Sequence, residues 1–296
     1  MRTPLYLATL LLLAATVIAA DRREAKFSAK AERTASSMRK TILAEIKDLA
    51  NHEWAGEYYA GDGLGVNTAV AIAPKSGYVF EWHGCLGLYD RNYGGVTWTN
   101  DRIRLAFTFD NKRQGFEGLA PEFIPIRWGT RRYLVPTGDI IGFCNNVNEG
   151  REPREDVHGF CLLRRGDEKA EVSGFPIVRK EYRSYLLAEP IEAAIESVSK
   201  YATRSSVCDW KFKDTPVTLN VGSKKGLRAG MELHVAEPGN IVESVRITKV
   251  EESRSEAVMT QIGEDATGPL VGWKLSTQAP WTRATKDKHT TRRSTE

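Results

Sequence analysis

The sequence predicts a mainly β chain: an amphipathic N-terminal helix, an antiparallel β-domain and then a small five-stranded β-barrel. Three observations carry that prediction. Apolar and polar residues alternate in short runs, as in strands with one buried face. Gly, Asp, Asn and Pro interrupt those runs at intervals of about ten residues. The chain also holds 25 Gly and 12 Pro among its 296 residues, an ample supply of turn formers.

The first element, residues 1–20, reads as a leader. Arg2 is followed by an uncharged apolar run over 5–18, then by Ala19 and Ala20, then by the charged Asp21, Arg22, Arg23 and Glu24. That order of charged, apolar and small residues is the pattern of a secretory signal peptide. The apolar run, about 14 residues, is shorter than the roughly 17–25 needed to cross a bilayer. The expected mature protein is therefore secreted or periplasmic and does not span the membrane after cleavage. Formal net charge is +4, reduced to +3 when Arg2 leaves with the leader. So weak a field argues against nucleic acid as a partner.

Residues 28–50 are predicted to be helical. Ala35, Met38, Ile42, Ile46 and Leu49 recur at spacings of three and four, with charged residues between them, so one apolar stripe is available to cover a sheet. A β-domain is expected over 52–175. Alternating runs lie at 54–59, 68–73, 78–83, 94–99 and 102–109, and Pro74-Lys75-Ser76-Gly77 has turn chemistry. Residues 119–125 read as a Pro-bounded loop, 127–136 as a strand with a basic edge, and 140–144 as a short element entering a polar loop. A connector is expected over 176–206. Within it, Ile191, Ala194, Ile195 and Val198 suit a helix, while Ile191, Ala193 and Ile195 equally suit a strand. Five short strands follow in the barrel expected over 207–277, and the polar, basic stretch 278–296 reads as a disordered tail.

Two stretches carry resemblances. Trp54-x-Gly56-x-Tyr58, Gly77-Tyr78-x-Phe80, Gly84-Cys85-x-Gly87 and Gly94-Gly95-Val96-x-Trp98 together resemble the opening strands of exported bacterial lipocalin-like β-domains over residues 52–110. That resemblance implies a closed or half-open barrel that binds or senses. Leu219-Asn220-Val221-Gly222-Ser223-x-x-Gly226-Leu227-x-x-Gly230-Met231-x-Leu233 is similar to the small β-domain ending flagellar-assembly T-type proteins and found in the periplasmic part of rod-shape protein C. This second resemblance, over 215–275, implies association with a partner.

Signatures of catalysis are missing from the sequence. The Gly-rich segments 61–66 and 222–230 fit neither a dinucleotide fingerprint nor a phosphate loop, no Gly-x-Ser-x-Gly elbow occurs, and His52-Glu53 has no second His four residues on. The five His, at 52, 83, 158, 234 and 289, are isolated, and no Cys pair has zinc-ligand spacing, so no cofactor or metal is expected. Asp62, Trp82, His83 and Tyr89, with Asn67 and Asp90 nearby, are the candidates for a ligand site at a barrel mouth, where a few polar groups stand among aromatics. Packing roles for Trp82 and Tyr89, and turn roles for Asp62 and Asp90, explain the same residues. Arg127, Arg131 and Arg132 would either hold an anion or guard a strand edge with charge. Of Cys85, Cys144, Cys161 and Cys208, the pair Cys144 and Cys161, 17 residues apart, is the simplest local disulfide. Closing such a loop would contribute about 3 kcal/mol, and buried thiols are the alternative. The function expected is that of an exported, non-enzymatic envelope protein binding a partner or small ligand. The competing class is an envelope hydrolase built from dispersed carboxylates.

Overall fold

The computed structural model describes residues 25–49, 52–61, 67–99, 101–113, 116–155, 161–205, 210–238, 243–263 and 266–280. The leader expected at 1–20, Asp62, Cys208 and most of the expected tail lie outside the described residues. The chain divides into two compact units, Met1–Thr137 with Phe160–Gly174, and Gly138–Gly159 with Phe175–Glu296.

In the first unit, helix α1 (Ala29–Asp48) begins at Ser28, whose hydroxyl accepts the Ala31 N–H. Eleven strands follow: β1 (Gly56–Ala60), β2 (Asn67–Ala73), β3 (Gly77–Gly84), β4 (Gly87–Gly94), β5 (Val96–Trp98), β6 (Ile103–Leu105), β7 (Lys112–Arg113), β8 (Phe116–Glu117), β9 (Glu122–Trp128), β10 (Arg131–Pro136) and β11 (Leu162–Arg164). Nine form one antiparallel, nearly closed sheet in the order β4-β3-β2-β1-β11-β10-β9-β6-β5, while β7 and β8 pair with each other. Both ends of the sheet lie on one continuous piece of chain, β4 into β5. The seam is drawn in by Ala106 N–H to Gly95 O (2.9 Å) and Thr108 N–H to Tyr93 O (3.1 Å). Glycine at 94 is what permits this corner, because a Cβ there would stand 2.0 Å from the Ala106 carbonyl oxygen.

Alternation sorts the strands into two faces. Val70, Ile72, Tyr78, Phe80, Trp82, Phe123 and Leu134 point into the barrel core. On the opposite face Ala71, Ala73 and Val79 receive Ala35 and Ile42 of α1, so the helical stripe covers β2 and β3. Glu45 adds a polar tie, accepting the Lys75 and Ser76 N–H groups of the 74–77 turn.

The stretch read as a loop at 119–125 contributes instead to β9. Pro125 is tolerated there because β6 pairs only with Glu122 and Phe123, so no partner strand requires its missing N–H. Nor are β9 and β10 an exposed edge, since both lie inside the sheet.

The second unit holds helix α2 (Ile140–Glu149), where a short element and polar loop were expected. Gly150 ends it in the left-handed conformation, with φ of 87°. Seven strands follow: β12 (Glu192–Val198), β13 (Ala202–Ser205), β14 (Lys211–Leu219), β15 (Glu232–Glu237), β16 (Ser244–Val250), β17 (Ser255–Ile262) and β18 (Lys274–Ser276). Six of them close into a barrel ordered β12-β18-β15-β16-β17-β14 and back to β12, with β13 added on β14. The expected count of five is corrected to six. The additional stave is β12, from the segment read as a connector, whose Ile195 is buried in the barrel core and whose strand bonds to both β14 and β18. Among the described residues no helix is long and apolar enough to cross a membrane.

Candidate functional site

Pairing across β2, β3 and β4 sets Thr68, Trp82 and Asp90 in one row, with Thr68 opposite Trp82 and Trp82 opposite Asp90. Trp82 belongs to the inner core, so the row faces into the first barrel. All three are buried, and so are two polar groups associated with them, Tyr78 and Lys26. Lys26 Nζ donates to Asp90 Oδ1 (2.7 Å) and to the Asp110 carbonyl (2.8 Å), neutralising the carboxylate.

Several buried polar atoms have no hydrogen-bond partner among the described residues: Thr68 Oγ1, the Tyr78 hydroxyl, Asp90 Oδ2 and Asn111 Oδ1. Such orphans are unusual, because each costs the free energy of leaving water. Burial, with the Asp90 charge beside it, pushes the Tyr78 phenol far above its ordinary range, so its proton is always present. Asn111 is held by its amide, which donates to the Leu119 carbonyl and leaves the buried Oδ1 without a partner among the described residues. Gly118 lies against both acceptors: a Cβ on it would stand 2.5 Å from Asn111 Oδ1 and 2.7 Å from Asp90 Oδ2.

Of the residues expected at a barrel mouth, the structure brings Trp82 and Tyr89 together edge-to-face, ring centroids 5.8 Å apart. A bulge after Trp82 turns Tyr89 toward it, and the ring lies where a side chain on Gly84 would be, a Cβ there meeting it at 2.1 Å. His83 points away from the core, over half its side chain exposed and 3.8 Å from the Glu81 carboxylate. Asn67 pairs with His83 at the same end of the sheet. Asp90 is an inner acceptor and not a turn former. Thr68, Tyr78, Asn111, Gly118 and Lys26 were missed. For Thr68 a signal existed, since it holds an inward position in step with Val70 and Ile72.

The arginines expected near an anion are engaged by the protein. Arg132 makes a two-pronged pair with Asp167, with bonds of 2.9 and 2.6 Å, Arg131 donates to the carbonyls of Ala170 and Glu168, and Arg127 pairs with Glu53. Arg131 and Arg132 thus tie β10 to the 161–174 segment, while Arg127 ties β9 to the stretch just before β1. No disulfide joins Cys144 and Cys161, which are buried thiols assigned to different units. Burial pushes the Cys144 thiol up to about 12.

A second polar group lies in the second unit. His234 Nε2 is 3.5 Å from Glu149 Oε2, Arg151 approaches the other oxygen at 3.0 Å, and both His234 and Glu149 are buried. On the same sheet Ser276 pairs with His234 and donates its hydroxyl to Glu192. A cleft of about 470 Å³ is lined by Asn148 and Gly150, which flank Glu149, and by Phe175, Leu187 and Thr277. Among the described residues no group of three or more His, Cys, Asp or Glu is placed to hold a metal ion.

No protein-family model, curated protein or solved structure matches this chain.

Proposed function

We propose that the chain is an exported, non-enzymatic protein of the cell envelope that binds a small ligand inside its first barrel. The carrying observation is the set of buried polar atoms on one inner face that have no partner among the described residues, Thr68 Oγ1, the Tyr78 hydroxyl and Asp90 Oδ2. Buried polar atoms that cost stability call for an explanation other than folding, and a bound partner group is one. The aromatic pair Trp82 and Tyr89 supports the reading, because ligand sites combine apolar walls with a few convergent polar groups. The likeness of residues 52–110 to exported lipocalin-like domains, and of the second barrel to association domains, agrees with binding and with work at the envelope. Export rests on the leader pattern of 1–20. Recovery of the protein outside the cytoplasm with Asp21 as its first residue would establish it.

The binding reading has a direct test in Thr68→Val and Tyr78→Phe. Each removes an unpartnered buried oxygen without changing shape greatly, so each is expected to leave stability unchanged or raise it by up to about 2 kcal/mol. Each should also reduce the small molecule carried by the protein from its native envelope, read by native mass spectrometry. Losses of stability above about 1 kcal/mol in both variants would show that these hydroxyls are bonded within the fold, and would sink the reading.

A second reading, an envelope hydrolase, draws on the buried pair Glu149 and His234; Glu149 adjoins in sequence Asn148 and Gly150 of the cleft, but neither member of the pair lines it. Hydrolysis of an ester or glycosidic substrate that disappears in Glu149→Gln at unchanged stability would establish it.

A further inference from the structure

The second barrel closes without β13, which is bonded to β14 on one side and to no described strand on the other. All four of its residues, Ala202–Ser205, are exposed. The pairing decides which of its backbone groups face the open side. The Lys211 carbonyl accepts the Gly263 N–H, so Lys211 points toward β17, and the alternate residues Phe212 and Asp214 point toward β13. Their partners Arg204 and Ala202 are thereby bonded, which leaves the N–H and C=O groups of Thr203 and Ser205 directed outward. Such an edge is a template for one more strand.

The two faces of this edge differ in charge. Lys213 and Lys211 stand opposite Thr203 and Ser205, and both reach over β13. Lys211 Nζ donates to Ser205 Oγ (3.0 Å), and Lys213 Nζ stands 4.5 Å from the centroid of the Tyr201 ring. No carboxylate among the described residues neutralises either lysine, whose other printed contact is the Ala266 carbonyl on Lys213. On the opposite face Arg204 is neutralised by Asp214 at 2.7 Å, and its guanidinium lies 4.4 Å from the centroid of the Phe212 ring. Edge lysines by themselves are a guard against pairing. Guarding does not account for the apolar bulk around them: Tyr201, Trp210 and Ile262, the last opposite Phe212, are each at least half exposed.

We infer that β13 is an augmentation edge that takes an extended segment of an acidic protein partner. The segment's main chain pairs with Thr203 and Ser205. Its side chains alternate between carboxylates over Lys211 and Lys213 and apolar groups over Ala202 and Phe212.

The test is fluorescence anisotropy on the full chain with a labelled short peptide alternating Glu and Val. The controls are the same peptide N-methylated at alternate residues, so that it cannot pair, and a peptide alternating Lys and Val. The Glu peptide is expected to bind, the N-methylated form at least tenfold more weakly, and the Lys peptide not at all. Thr203→Pro removes an outward N–H at an edge position where Pro is tolerated, and is expected to abolish binding. Lys211→Glu is expected to weaken it at least fivefold. If Thr203→Pro does not fold, the N-methylated peptide and Lys211→Glu decide. No binding of the Glu peptide overturns the inference, as does binding that survives N-methylation or Thr203→Pro. Capture by phosphatidylglycerol vesicles in place of the peptide, lost in Lys211→Glu, overturns it in favour of a membrane surface. A dimer in sedimentation that Thr203→Pro dissociates overturns it in favour of a second copy of this chain.

Discussion

Lys26 and Asp90, 64 residues apart, form an ion pair of 2.7 Å with both residues buried. Coming just before α1, Lys26 anchors the N-terminal segment to the inside of the first barrel. Lys26→Met should leave an uncompensated carboxylate in the core and cost about 3–5 kcal/mol. The double change Lys26→Met with Asp90→Leu should recover most of that loss. Urea unfolding of the two single variants and the double variant provides the measurement, and a double variant as unstable as the singles would contradict it.

Helix α1 is held by few side chains, and Ile42 is the largest of those fully buried. Ile42→Ala is expected to lower stability by about 2–5 kcal/mol, the range for truncating a buried aliphatic side chain. Leu86→Ala, at a position 91% exposed, should change it by less than about 0.5 kcal/mol. Equal effects in chemical denaturation would mean that α1 does not dock on β2 and β3.

Acid should loosen the same helix. Burial works to raise the Glu45 carboxyl, but the hydrogen bonds from Ser76 and Lys75 outweigh it and hold the group below the ordinary carboxylate range. A carboxyl with a depressed folded value stabilises fully above its unfolded value, near pH 4.3, and loses that contribution as pH falls through the folded one. Glu45→Gln should therefore be less stable than the parent at neutral pH by about 1 kcal/mol and converge with it at strongly acid pH. Thermal melts from pH 2 to 7 give the comparison. A gap that stays constant across that range would remove the carboxylate from the account.

Cysteine labelling should follow burial. Cys85 is exposed, whereas Cys144 is buried with its thiol raised to about 12. A maleimide added to the native protein is expected to modify Cys85 within minutes and to reach Cys144 and Cys161 only in denaturant, as read by peptide mass mapping. Rapid native labelling of Cys144 would show that α2 opens readily.

The mainly β class, the helix, the turn at 74–77 and both barrel regions were legible in the sequence, because each rests on local periodicity or turn chemistry. Trp82 and Tyr89 stood out as aromatics beside a glycine-rich turn, and the structure brings their rings together. By itself the sequence determined which residues alternate and where the chain turns. It did not determine which way Asp90 faces, because a bulge at Trp82 and His83 shifts the register by one residue and no local pattern marks it. It also read 190–200 two ways, since Ile195 satisfies both periods and only closure of the second barrel selects the strand. Tertiary structure alone decided that Lys26, Asp90, Asn111 and Gly118 meet. Their meeting depends on contacts between distant segments, and a burial that leaves polar atoms unpartnered becomes visible only once every neighbour is in place.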